Sequence, residues 1–115
     1  MLILHQEFFL TVLLYREEED YVAHCLEFDI VNATAESFET AYTELYDLVV
    51  SYIDYAYEND NTDHLYNPAP AEYWNMFYKS VPYTLDHERE PIEIEGRSFR
   101  PRRPLYQAVT AFPRC

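Results

Sequence analysis

Glu27 and Asp29 stand two residues apart and could share one face of a strand, the beginning of a carboxylate site for metal ions. A two-metal nuclease needs several carboxylates converging on ions about 4 Å apart. In a chain with 21 Asp and Glu among 115 residues such pairs arise by chance, so solvated charges at a strand end are the simpler reading. His24 beside Cys25 suggests an imidazole-activated thiol. Adjacent strand residues point to opposite faces, however, and cannot pair as nucleophile and base. His5, His24, His64 and His87 lack the spacing of paired metal ligands and read as isolated polar side chains. Gly96 is the single glycine, so no glycine-rich phosphate loop of the P-loop or dinucleotide type can form. No catalytic, cofactor or metal site is expected, and the chain reads as a binding protein and not an enzyme.

The residues that could bind a partner are more plentiful. The formal net charge of −13 repels phosphate backbones and anionic membranes and would steer a basic protein toward this one. Glu17, Glu18, Glu19 and Asp20 form either a solvated hairpin tip or a patch for such a partner, and Glu27 and Asp29 extend the acidic set. Tyr66, Tyr73, Trp74, Phe77 and Tyr78 could stack on nucleic-acid bases, but only Lys79 supplies a nearby cation. These rings are therefore expected to cover the sheet or to meet another subunit, with Trp74 and Tyr78 as candidate partner contacts. Residues 89 to 115 differ from the rest: they hold six arginines and three acids, against eighteen acids and only Arg16 and Lys79 before them. Arg97, Arg100, Arg102 and Arg103 could dock on acidic surface or on phosphates, since arginine pairs bidentately with either.

The elements that must position these groups follow from pattern. Phe8–Tyr15 and Tyr21–Cys25 are β-branched and aromatic runs around a charged tip, and Phe28–Ala33 makes a third, so a three-stranded antiparallel meander is expected. Phe38, Ala41, Tyr42, Leu45, Leu48, Val49, Tyr52, Ile53 and Ala56 recur at three- and four-residue steps, which predicts one long amphipathic helix with Thr34 as its N-cap. Ala71–Ser80 follows Pro70 and suits a short second helix. Ile92–Phe99 alternates around Gly96 as a small hairpin, Arg100–Pro104 is a linker or docking arm, and Leu105–Phe112 is a last strand or tail. The expected fold class is α+β on one core, with residues 1–80 as the body and 81–115 as an Arg-rich extension. Cys25 and Cys115 make no disulfide framework, and Met1–Leu4 is too short for a signal or spanning segment, so a cytoplasmic location is expected.

Glu19-Asp-Tyr-Val-Ala-His-Cys-Leu-Glu27, followed by Asn32-Ala-Thr-Ala-Glu36 and an Ala/Leu/aromatic-rich helix, resembles the HicB family of antitoxins over residues 8 to 56. Asn32 stands where that family has glycine, and asparagine is the non-glycine residue best able to take positive φ. The resemblance implies a partial ribonuclease-H-like sheet with one packed helix and without catalytic apparatus, which neutralises a small basic toxin of the HicA ribonuclease type. Many HicB proteins continue into a DNA-binding module, and residues 59 to 115 lack the sequence of one. An alternative is a self-associating adaptor domain without a toxin, and a homo-oligomer is expected on either reading, because small sheets with open edges commonly pair.

Overall fold

The computed structural model describes residues 6–94 and 96–107. The run expected as one first strand is divided at Thr11 into β1 (Gln6–Leu10) and β2 (Val12–Glu17). Thr11 turns its backbone away from the ladder: its N–H donates to the Glu27 carboxylate at 2.6 Å, and its carbonyl accepts from Leu26 N–H at 2.9 Å. β2 pairs antiparallel with β3 (Asp20–Cys25), and β3 with β4 (Ile30–Thr34), the expected meander with its third strand starting two residues late. Residues 26–29 form the intervening turn, with Asp29 at φ 56°.

The C-terminal segment completes the sheets. After β5 (Val81–Pro82), β6 (Ile92–Ile94) and β7 (Arg97–Pro101) form the hairpin expected around Gly96, whose φ of 80° a side chain would resist. β7 and β8 (Leu105–Tyr106) run parallel to β1 and β2 respectively. Leu10 pairs with Pro101 and Leu13 with Leu105, so one extra residue is accommodated between β7 and β8, where Pro104 is buried. The resulting orders are β4-β3-β2-β8-β5 and β1-β7-β6.

Helix α1 (Phe38–Glu58) lies on one face. Ser37 caps it in place of Thr34: Ser37 Oγ accepts from Thr40 N–H at 3.0 Å, while Thr34 Oγ1 accepts from Glu36 N–H in the preceding turn. Thr34 still belongs to β4, so the chain needs three more residues to change direction. Ala41, Tyr42, Leu45, Val49 and Ile53 pack on Leu10, Val12, Leu14, Ala23 and Cys25. Burying each larger side chain of this set stabilises the fold by roughly 1.5–3 kcal/mol. Leu48, expected on that face, is instead 45% exposed, because the apolar arc is wider than the strip of sheet beneath it.

A second cluster occupies the opposite face, where a single core was expected. Strand alternation sends Leu13, Tyr15 and Val22 there, and with Leu26 and Ala69 they receive Tyr73, Trp74, Met76 and Phe77 from around helix α2 (Ala71–Tyr78). Pro70 is the N-cap residue of α2, just before its first turn. Among the described residues no helix is long and apolar enough to cross a membrane.

Four arginines of the extension lie against the body. Arg89 donates to Thr43 Oγ1, Arg97 sits over the Tyr57 ring at 5.5 Å, Arg100 pairs with Glu7 at 3.4 Å, and Arg102 sits over Phe9 at 4.4 Å.

Candidate partner-binding surface

The acidic tip is a tight two-residue turn. Glu17 pairs with Asp20 across the β2–β3 ladder, leaving Glu18 and Glu19 as the loop, with Glu18 at φ 57°. Arg16 supports the turn from behind: its guanidinium donates to the Asp20 carbonyl at 3.1 Å and the Glu19 carbonyl at 3.3 Å, and stacks on Tyr21 at 3.8 Å. Among the described residues, the only cation nearby is thus committed to backbone and ring. All four carboxylates of the tip are exposed, with no ion pair among the described residues.

The outer side of α1 carries a second acidic surface that the sequence pattern did not single out. The helix bears Glu39, Glu44, Asp47, Asp54 and Glu58 and no Lys or Arg. Glu39 accepts from Asp86 N–H and Glu44 from Asn32 Nδ2, whereas Asp47, Asp54 and Glu58 have no partner among the described residues. Leu48 and Tyr55, the latter 63% exposed, stand among them. A helix that only needed solubility would gain from Glu–Lys pairs at i, i+4, and this one forgoes them. Its signal in the sequence was the absence of any base between Arg16 and Lys79.

Glu27 and Asp29 do not share a strand face. They sit in the β3–β4 turn with different partners, Glu27 on the Thr11 N–H and hydroxyl and Asp29 on His24. Burial raises the Glu27 pKa, against the lowering effect of the Thr11 hydrogen bonds and the Arg102 charge. No group of three or more His, Cys, Asp or Glu that could hold a metal ion occurs among the described residues. The thiol of Cys25 is buried in the α1-side core, which pushes its pKa up to about 12 and keeps it protonated.

His24 is not an isolated polar side chain. It is 2% exposed, with Nε2 at 2.7 Å from Asp29 Oδ1 and Nδ1 at 3.3 Å from the Tyr15 hydroxyl. Tyr73 of α2 covers it, with ring centroids 4.6 Å apart. A single tautomer satisfies all three groups: Nε2–H donates to Asp29 while Nδ1 accepts from Tyr15. The Tyr15 pKa is raised, first by burial and then by neighbouring Tyr73, Glu17 and Asp29, so its phenol remains a donor. His24 and Tyr15 are buried beneath α2 while the Asp29 side chain is 36% exposed, and the trio braces the α2 face. Tyr15 lies diagonally across the β2–β3 ladder from His24, a relation visible only once the register is known.

The aromatic segment divides by role. Trp74 is half-buried in the α2-side cluster, whereas Tyr66 and Tyr78 are 63% and 73% exposed. Among the described residues no strand pairs with the outer edge of β4, whose five residues are uncharged, with Val31 48% exposed. Comparison of the chain with protein-family models, curated proteins and solved structures finds no match in any of the three.

Proposed function

We propose that this protein is a HicB-like antitoxin-type binder that neutralises a small basic ribonuclease toxin of the HicA type by covering the cationic surface with which that toxin grips RNA. The observation that carries the reading is the set of exposed carboxylates on the hairpin tip and on the outer side of α1 that have no cation partner among the described residues. A protein that grips RNA must present cationic surface, and an acidic domain can compete by imitating the charge of the ligand. Leu48 and Tyr55 add apolar area within the acidic surface, as a protein interface requires at its centre. The meander with one long helix packed on its face also supports the reading. The test is capture from lysate of the native host at low and at high salt, with the bound proteins identified and assayed for ribonuclease activity. A small basic ribonuclease that is inhibited by this protein and released as salt rises is the expected result. Capture of no basic protein overturns the reading.

A second reading, a self-associating adaptor domain, is favoured by the uncharged open edge at β4, which lacks the Lys, Pro or bulge that usually protects such an edge. Sedimentation separates it from the first: a strict monomer at micromolar concentration ends it.

A further inference from the structure

β1 is the outer strand of its sheet, and only β7 pairs with it among the described residues. The direction of its backbone groups follows from one bond: the Leu10 carbonyl accepts from Arg102 N–H at 3.0 Å, on the β7 side. In a parallel ladder both backbone groups of a residue face the same way and alternate residues face opposite ways, so Phe8 also turns to β7 while Glu7 and Phe9 turn outward. Thr11 continues the alternation, and its outward groups are taken by Glu27 and Leu26 of the β3–β4 turn. The N–H and carbonyl groups of Glu7 and Phe9 have no partner among the described residues. A cleft of about 700 Å³ opens along this same edge, since Glu27 also lines it. Its walls are the rings of Phe8, Phe9, Phe28, Tyr57 and Tyr66, together with Leu65. Phe8, Phe9 and Tyr66 are exposed, although each is large and apolar. Of the charged groups on the wall, Glu27 is held by Thr11, Arg97 lies over Tyr57 and Arg102 over Phe9. Asp63 is exposed without a partner among the described residues, and Glu7 has its exposed contact with Arg100.

We propose that the β1 edge and this cleft together bind an extended segment of a partner protein, one that carries a large apolar side chain and a Lys or Arg two residues from it. An open strand offers such a segment main-chain hydrogen bonds, here at Glu7 and Phe9, and a cleft beside the strand selects a side chain. A small free ligand would fill the cleft and leave the outward backbone groups of Glu7 and Phe9 unpaired, whereas a peptide strand satisfies both. Residues two apart on a strand share a face, so the apolar side chain enters among the rings while the cation meets the carboxylate of Asp63. The field of a chain with net charge −13 favours that cation over an acidic segment. The inference stands apart from the antitoxin reading, because the carboxylates of the tip and of the outer side of α1 do not line the cleft, and either can fail alone.

The probe is a short end-blocked peptide of Thr and Val with one central Phe and a Lys two residues to either side of it, titrated into the full chain by calorimetry and by amide NMR. Saturable binding is expected, with slower exchange of the Glu7 and Phe9 amides. Glu7→Pro removes a donor that faces outward, where an edge strand accepts proline, and should weaken the peptide about tenfold, whereas Glu7→Gln keeps the donor and most of the affinity. Tyr66→Ala truncates an exposed ring, so the variant folds, and it should weaken the peptide about fivefold. Peptides with Ala for Phe, with Glu for Lys, or methylated at the backbone nitrogens should each bind more weakly, and the methylated one carries the edge test if Glu7→Pro does not fold. No saturable binding, equal binding of any of these three peptides, or parental affinity in a folded Glu7→Pro overturns the proposal. A parent dimer that Glu7→Pro makes monomeric and that the peptide cannot enter assigns the edge to a second copy and overturns it as well.

Discussion

The two faces of the five-stranded sheet are covered by helices of unequal kind. On one, α1 runs for 21 residues and buries Ala41, Tyr42, Leu45, Val49, Ile53 and Ala56. On the other, α2 runs for 8 residues, buries none of its own fully, and lies across the bonded trio of Tyr15, His24 and Asp29. The first face is held by non-directional apolar burial, which tolerates small shifts of the helix. The second has less apolar area and relies on hydrogen bonds whose geometry must be right, because an unpaired buried polar group costs about as much as a methyl-sized cavity. α1 should therefore open only with the whole molecule, whereas α2 should be able to open alone.

The largest expected effect breaks the strong side of this comparison. Leu45→Ala leaves a cavity under α1 and should lower global stability by about 3 kcal/mol in urea unfolding. Phe77→Ala, on the half-buried contact of α2, should cost about 1–2 kcal/mol globally and accelerate amide exchange in Ala71–Tyr78 more than in α1. Equal acceleration in both helices would show that the faces are not separable.

An intermediate effect sharpens the weak side. Asp29→Ala leaves His24 Nε2 without its acceptor and places alanine at φ 56°, and should cost about 2 kcal/mol. Asp29→Asn retains an acceptor and tolerates that backbone, so most of the loss should be recovered. If asparagine costs as much as alanine, the carboxylate charge and not the hydrogen bond holds His24.

This division also explains what could be foreseen. The period of α1 was legible because burial on one side imposes a repeat, and the hairpin tip was legible because alternation stops at Arg16–Asp20. Ser37 was missed as the cap because the turn after β4 takes residues whose propensities resemble those of a helix start. The α2-side cluster escaped since Leu13, Tyr15 and Val22 lie in runs apolar at nearly every position, where a strand covered on both faces shows no alternation. The Tyr15–His24 bond depends on the β2–β3 register, and the docking of Arg89 on Thr43 and of Arg102 on Phe9 joins residues far apart in the chain. Of the acidic surface, the tip was read from the sequence as a solvated hairpin tip or a patch for a partner, while its counterpart on α1 needed the helix face to be placed.

The smallest effect concerns the half-buried turn carboxylate that holds Thr11, and its sign opposes the usual behaviour of acidic groups. Glu27 has a pKa raised above its ordinary 4.5, chiefly by burial, so the folded state holds the proton more tightly than the unfolded chain. Its contribution to stability is fully present below the ordinary value and is lost as pH rises through the raised one. Glu27→Gln keeps an acceptor for Thr11 and removes the titration, so the variant should gain relative to the parent as pH rises above about 4.5. Urea unfolding at a series of pH values measures it. A difference between Glu27→Gln and parent that stays flat across the series would mean that the Thr11 hydrogen bonds fully offset the burial of the charge.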